Sequence, residues 1–315
     1  MSSATVPTLS VPPKVARGDS PLAEAVRNIR RSRSAMMGLT ILVIMALLAI
    51  FAPVIAPYDP YQTMIGSPNH SGRLPGKPPC IHLLGCSADE PQHYFGLDLN
   101  ARDMFSRVLY GARVSLLVGV TSIGLAVVVG TLLGLVAGYA SGWIDNLIMR
   151  TMDILLAFPS LLLAIAIVTV LGPRLENALL AIAIVSIPVY ARITRASVLT
   201  IKEQEYVTAN YALGSTPGRT LFRHIFPNAL TPLIVQTTLG IGGAVLETAA
   251  LSFLGLGGDP RDPEWGRILS EGRQYVFTQP HLVFFPGIAI MITVLGFNLF
   301  GDGLRDALDP RLNRI

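Results

Sequence analysis

Charge is what this sequence has least of. Only 14% of its 315 residues are Asp, Glu, Lys or Arg, against about 25% in an ordinary soluble domain. Strict alternation of apolar and polar residues is also missing, which counts against a transmembrane barrel. Cysteine is nearly absent: Cys80 and Cys86 are the only two, and neither sits in a four-ligand zinc pattern. There is no G-x-x-x-x-G-K-[ST] loop to cradle phosphates, and the nearest run, Gly72 to Lys77, has the wrong spacing. No nucleophile–base or metal-catalyst arrangement occurs. The chain is therefore not expected to be an enzyme, to hold a cofactor of its own, or to ligate a catalytic metal.

Apolar residues are abundant, at 51% of the chain, with a mean hydropathy of +0.54. They fall in blocks, several of which reach the roughly 20 residues needed to cross about 30 Å of hydrocarbon as a helix. Lipid offers the backbone no hydrogen bonds, so such blocks are helices. The sequence predicts an all-α, polytopic membrane protein with six spans, at 36–57, 113–139, 147–170, 176–197, 229–254 and 282–303. The apolar stretch from 35 to 58 is too long and too far from the N-terminus for a cleaved signal peptide, so it reads as a retained first span. Residues 1–34 form a polar tail, of which 1–20 have little to bury and read as disordered. The remaining divisions are an outer loop at 59–111, a five-helix core at 112–303 with loops 198–228 and 256–281, and a tail at 304–315.

Lysine and arginine set the orientation. With the N-terminus inside, about 15 lie on the cytoplasmic side and about 9 outside. Both termini are thus expected in the cytoplasm. The net charge of +4 bears on orientation, not on nucleic acid.

The cytoplasmic loop 198–228 is the most informative stretch. Apolar residues Val198, Ile201, Tyr206, Ala209 and Leu213 recur at a loose helical period. Gly214 suits a left-handed helix C-cap. Ser215 or Thr216 is placed to cap a second helix, with Pro217 in its first turn and Pro227 ending it. Read bottom-up, this is either an amphipathic connector on the inner leaflet, with Lys202, Arg219 and Arg223 toward anionic lipid, or a docking element for a cytosolic motor.

The same stretch resembles the "EAA" loop of ABC-importer permeases, roughly E-A-A-x-x-x-G with a proline thirteen residues after the glycine. Here the pattern is Thr208, Ala209, Asn210, Gly214 and Pro227. Thr208 replaces the glutamate, although Glu205 lies on nearly the same helix face, and Asn210 replaces the second alanine. Four further stretches are similar to the C-type subunit of dipeptide, oligopeptide and nickel permeases: FGLDLNARDMFSRVLYGARVSLLVG (95–119), DNLIMRTMDILLAFPSLLLAI (145–165), LSFLGLGGDPRDPEWGRILSEG (251–272) and GDGLRDALDPRL (301–312). The resemblance implies a type I ABC importer permease fold and a B-type permease partner. It also implies two ATPase subunits, which bind the ATP and magnesium, and an external solute-binding protein. The ATPase-coupling residues it implies are Glu205, Thr208, Ala209, Gly214, Ser215, Pro217 and Pro227. Peptides are the expected cargo, with nickel or another small solute as the alternative. A self-sufficient secondary transporter would need inverted repeats around an ion site, and no repeat is visible; a pathless assembly scaffold is the third reading.

Asp153 and Glu247 lie within spans, where a carboxylate costs about 2.5–3.5 kcal/mol on insertion scales. Each is open to three readings: contact with substrate, an ion pair (Asp153 has Arg150 three residues before it), or solvation at a membrane edge. Pro159 and Pro188 can kink spans three and four, making room for a path. In the long outer loop Cys80 and Cys86 can form a disulfide on an oxidising face, or join His70, His82 and His93 in a metal site, or remain free thiols. Trp265 and the charges of 259–273 are expected to face the binding protein. Gly301 and Gly303 read as breakers after the last span, with Arg305 near its negative dipole end.

Overall fold

The computed structural model describes residues 27–308 apart from 68–73, 88 and 260. His70 and most of both tails therefore lie outside the described residues. Helix α1 is Arg33–Ile55, capped by Ser32, whose Oγ accepts from the Ala35 N–H at 3.3 Å. Helix α2 is Met104–Ala140, starting nine residues before the predicted span. Asp103 sets that start, accepting from the Ser106 N–H at 2.8 Å and the Ser106 hydroxyl at 2.7 Å. Then follow α3 (Gly142–Leu156), α4 (Ser160–Leu171), α5 (Leu175–Lys202), α6 (Glu205–Ala212), α7 (Pro217–Phe253), α8 (Trp265–Gly272) and α9 (His281–Leu308). Among the described residues there are no strands, only isolated bridges in the outer loop.

Five of these helices (α1, α2, α5, α7 and α9) are each long and apolar enough to cross a membrane. The predicted third span, 147–170, is not one helix. It is α3 and α4, bent by 91° across a short break, and counts as a sixth span only if the pair crosses together. Pro159 lies at the break: it has no N–H to continue a helix, its ψ of 131° is extended, and it disfavours helical geometry in Phe158 before it. Pro188, in contrast, lies inside an unbroken α5.

Two cores hold the bundle. One joins Met45, Met104, Val245, Trp265, Leu282 and Ile290 from α1, α2, α7, α8 and α9; the other joins Ile123, Val168, Ile182, Tyr190 and Leu251 from α2, α4, α5 and α7. Between apolar helices in lipid, close contact replaces the hydrophobic effect as the source of attraction, so small residues line the crossings. Gly130, Gly134 and Gly138 form such a line on α2. A Cβ on Gly134 would lie 2.5 Å from the Ala191 carbonyl oxygen and 2.6 Å from Thr194 Cβ of α5. Gly303 lies inside α9, and a Cβ there would come 2.4 Å from Ala35 Cβ. Gly301 is likewise helical, against Leu239. Neither glycine breaks the helix, as the sequence had suggested; each admits a neighbouring helix.

The outer loop is tied down by buried charge. Arg102 donates to Asp98 at 2.6 Å and to Glu271 of α8 at 3.0 Å, and the fully buried Arg107 guanidinium sits 3.3 Å from Asp98 Oδ2. Trp265 is fully buried, its indole N–H donating to the Val108 carbonyl at 2.9 Å. It is a core residue and presents nothing to an external partner.

Candidate functional site

The loop between α5 and α7 folds into a sharp corner. Helix α6 ends with the Gly214 N–H on the Tyr211 carbonyl (2.9 Å) and the Ser215 N–H on the Asn210 carbonyl (3.2 Å), the paired bonds of a Schellman motif. Gly214 has φ +83°, where a side chain is strained, yet a Cβ there would meet nothing within 4 Å. The glycine is required by backbone conformation and leaves the corner's outer side open. Thr216 is the extended N-cap residue of α7 and Pro217 its first residue, with no side-chain cap bond. Ser215, the other predicted cap, makes none either: its Oγ is buried without a partner.

One side of the corner is fastened. Val207 is buried with Leu135, Val198 and Ile225. Asn210 Nδ2 donates to the buried Thr220 Oγ1 at 3.0 Å, joining α6 to α7. The Tyr139 and Tyr211 hydroxyls share a 2.9 Å hydrogen bond, and Lys202 Nζ donates to the Tyr139 carbonyl at 3.2 Å. The opposite side is bare. Glu205, Thr208, Ala209 and Ala212 are all exposed and recur at the spacing of a single helix face, followed by Leu213 at 87% exposure. Asn210, which departs from the pattern expected of such loops, thus carries an interhelical bond that alanine could not make.

Pro227 does not end the second helix. Residues Leu221–Ile225 form a π-helical turn, and the helix runs on through Pro227 to Phe253. In a regular α-helix the proline ring would clash with the carbonyl four residues back; the wider turn directly before it relieves that clash. The second helix of the corner and the fifth predicted span are therefore one helix.

The acidic residues in the spans are sorted by partner. Asp145 takes a bidentate pair from Arg195, at 2.5 and 2.6 Å. Asp153 pairs with Arg192 of α5 at 2.6 Å, not with Arg150. Among the described residues Glu247 has no cation within ion-pair distance; its Oε1 accepts from the Ser160 hydroxyl at 3.0 Å. Pro159 is thus beside Glu247, through Ser160, while Asp153 is engaged with α5.

In the outer loop Cys80 and Cys86 are joined as a disulfide. His93 is buried, its Nδ1 2.8 Å from Asp103 Oδ1, and His82 Nε2 lies 2.7 Å from the Glu90 carbonyl oxygen. The sulfurs are bonded to each other with the Glu90 carboxylate beside them, and His93 pairs with Asp103, so among the described residues the expected histidines and cysteines do not come together. On α8, burial pushes the Glu264 carboxyl up, against the pull of the Gly266 and Arg267 N–H groups it caps.

Five or six apolar helices joined in one bundle, with a bare helix–glycine–helix corner and a bent helix pair, define the architecture of a multi-pass membrane protein. Residues 130–314 match the family described as binding-protein-dependent transport system inner membrane component, and the chain belongs to that family. Residues 20–75 match the N-terminal TM domain of oligopeptide transport permease C. The chain is 49% identical to the dipeptide transport system permease protein DppC of Alkalihalophilus pseudofirmus, over 93% of this chain and 91% of that protein. It is 45% identical to the di/tripeptide transport system permease protein DppC of Pseudomonas aeruginosa, over 93% of each, and 43% identical to the glutathione transport system permease protein GsiD of Escherichia coli, over 93% and 91%. A chain from the inward-facing MetNI methionine ABC transporter shares the fold, with a TM-score of 0.53 at 21% identity, covering 65% of this chain and 98% of that one.

Proposed function

We propose that this chain is one membrane-spanning half of an ATP-driven importer of di- and oligopeptides. The observation that carries the reading is the 49% identity, over nearly the full length of both chains, to a permease named for dipeptide transport. Two other relatives are named for di/tripeptide and glutathione transport, also peptides, which favours peptide over nickel. The partners follow from that assignment: a B-type permease completing the path, two cytosolic ATPase subunits holding ATP and magnesium, and an external binding protein delivering the peptide. This chain itself hydrolyses nothing. Both termini are cytoplasmic, which puts the α6–α7 corner on the ATPase side.

The corner is the coupling element. Its fastened side moves with α2 and α7, and its bare side, Glu205, Thr208, Ala209 and Leu213 around Gly214, lies in a groove of one ATPase. When ATP draws the ATPases together, the corner shifts as a lever and the helices rock, a rigid-body closure of the kind that switches access. The test separates backbone strain from docking. Asn and Asp both tolerate the left-handed conformation at Gly214 better than other side chains, but only Asp adds charge. In proteoliposomes of the full complex with binding protein and alanyl-alanine, Gly214→Asn keeps most uptake. Gly214→Asp continues to hydrolyse ATP while uptake falls about tenfold or more, the effect of a desolvated, unpaired charge at an interface. Equal uptake by Gly214→Asp and wild type would refute the docking assignment.

A further inference from the structure

The acidic residues on the spanning helices are not treated alike. Asp145 and Asp153 each have an arginine of α5 at 2.5–2.6 Å. Glu247 has only the Ser160 hydroxyl, and no cation among the described residues lies within ion-pair distance. An intramembrane carboxylate is costly, and this chain pairs Asp145 and Asp153 with its own side chains. Glu176, Asp302 and Asp306 are exposed, whereas Glu247 is half-buried and stands where the bundle is interrupted. Ser160 is the first residue of α4, immediately after the Pro159 break.

The surroundings leave room for a ligand. Gly243 is one turn before Glu247 on the same face of α7, and a Cβ there would meet nothing within 4 Å. Phe158, two residues before Ser160, and Leu246, next to Glu247 in the chain, are each more than half exposed. The result is a half-buried carboxylate with exposed apolar residues near it in sequence, one oxygen held by a hydroxyl and the other without a hydrogen-bond partner among the described residues. Its chemical complement is a compact ammonium group. In a machine that carries peptides of mixed side chains, the α-ammonium is the cation that every cargo molecule brings.

We propose that Glu247, positioned by Ser160 at the break between α3 and α4, is the transient site for the α-ammonium group of a peptide in transit. This rests on the peptide-import reading. Leaving the carboxylate without a resident cation keeps the contact temporary, since a fixed arginine would compete with each arriving peptide. A single charge-assisted hydrogen bond in a low-dielectric setting orients the backbone and makes no demand on the side chains.

The experiment uses the wild-type complex, co-purified with its partner subunits in lipid nanodiscs. An apolar carbodiimide is added and modification of Glu247 is followed by mass spectrometry. Millimolar alanyl-alanine slows the modification severalfold, whereas N-acetyl-alanyl-alanine, which lacks the ammonium, does not. In proteoliposomes, Glu247→Gln complexes assemble with all subunits but lose about tenfold or more of uptake, the loss expected for one charge-assisted contact. Glu247→Asp, which keeps the charge, recovers a substantial part. Equal protection by both peptides, or by neither, overturns the assignment. So does a Glu247→Gln complex that falls apart, because the carboxylate would then be paired with a neighbouring subunit. Wild-type proteoliposomes that take up no alanyl-alanine would instead overturn the import reading, and this one with it; normal uptake without protection overturns only the role of Glu247.

Discussion

Glu264 shows how one side chain can set a pH dependence. Its carboxyl is almost fully enclosed and caps α8, and burial raises its affinity for a proton above that of an exposed glutamate. A folded-state value above the unfolded one means that the fold favours the protonated form. Its contribution to stability is complete below the ordinary glutamate value of about 4.3 and fades as pH rises through the raised one. Glu264→Gln keeps one oxygen, enough for the Gly266 or the Arg267 N–H but not both, and stays neutral throughout. The wild type is expected to lose melting temperature as pH rises from about 4 toward neutral, and the variant to lack that part of the pH dependence. The adjacent buried Trp265 provides the fluorescence signal for those melts. Residue-level reading of the sequence succeeded where the backbone alone decides. Gly214 is legible as a left-handed cap because no side chain shares that preference so strongly. It failed where the partner is remote: Arg192 and Arg195 find Asp153 and Asp145 from 39 and 50 residues away, and only the crossing of α3 over α5 brings them together. Trp265 and the charges near it looked like surface because the loop carrying them is polar, yet α8 turns its apolar side, with Trp265 and Ile268, wholly into the core.

Among the elements, the crossing of α2 with α5 depends most on the absence of side chains. At Gly134 a new Cβ would press on backbone, not on the flexible end of a side chain, so the helices would have to part. Gly134→Leu is expected to destabilise the subunit by about 1–3 kcal/mol, the range for overpacking a close contact. This would be read as a lower melting temperature and greater aggregation of the purified complex. The line of glycines at 130, 134 and 138 is a small-residue spacing of four, but it lies inside an apolar block, where hydropathy gives a span without showing which helix crosses it. The break at 157–159 was harder to see. Hydropathy runs across it without a dip, and proline inside a membrane helix is compatible with either a kink or a stop: Pro188 and Pro286 sit within continuous helices, while Pro159 ends one.

For the whole molecule, the apolar blocks were enough to give the class and the number of crossings to within one. The sequence could not show that the second helix of the loop and the fifth span are one piece, because a proline near the join ordinarily marks an end. Sidedness rests on the excess of lysine and arginine on the inner side. With a reporter fused to either end, sealed spheroplasts are expected to shield both from external protease, and inside-out vesicles to expose both; protection of only one end would mean an odd number of crossings.

The continuity of α7 has a consequence for how this region tolerates changes in length. At about 1.5 Å per residue, the 30 positions from Pro217 to Glu247 cover about 45 Å in one helical path. Each residue added between them turns everything beyond by about 100° and advances it by about 1.5 Å. A single inserted alanine after Ile234 would therefore swing Glu247 away from Ser160 while leaving the corner untouched, and peptide uptake is expected to be lost. A four-residue insertion nearly restores the facing, with a remainder of about 40°, and should recover part of the uptake. An ordinary surface loop would absorb all such insertions alike. Here spacing carries phase, so the distance in sequence between corner and carboxylate is expected to change only by about whole turns of the helix.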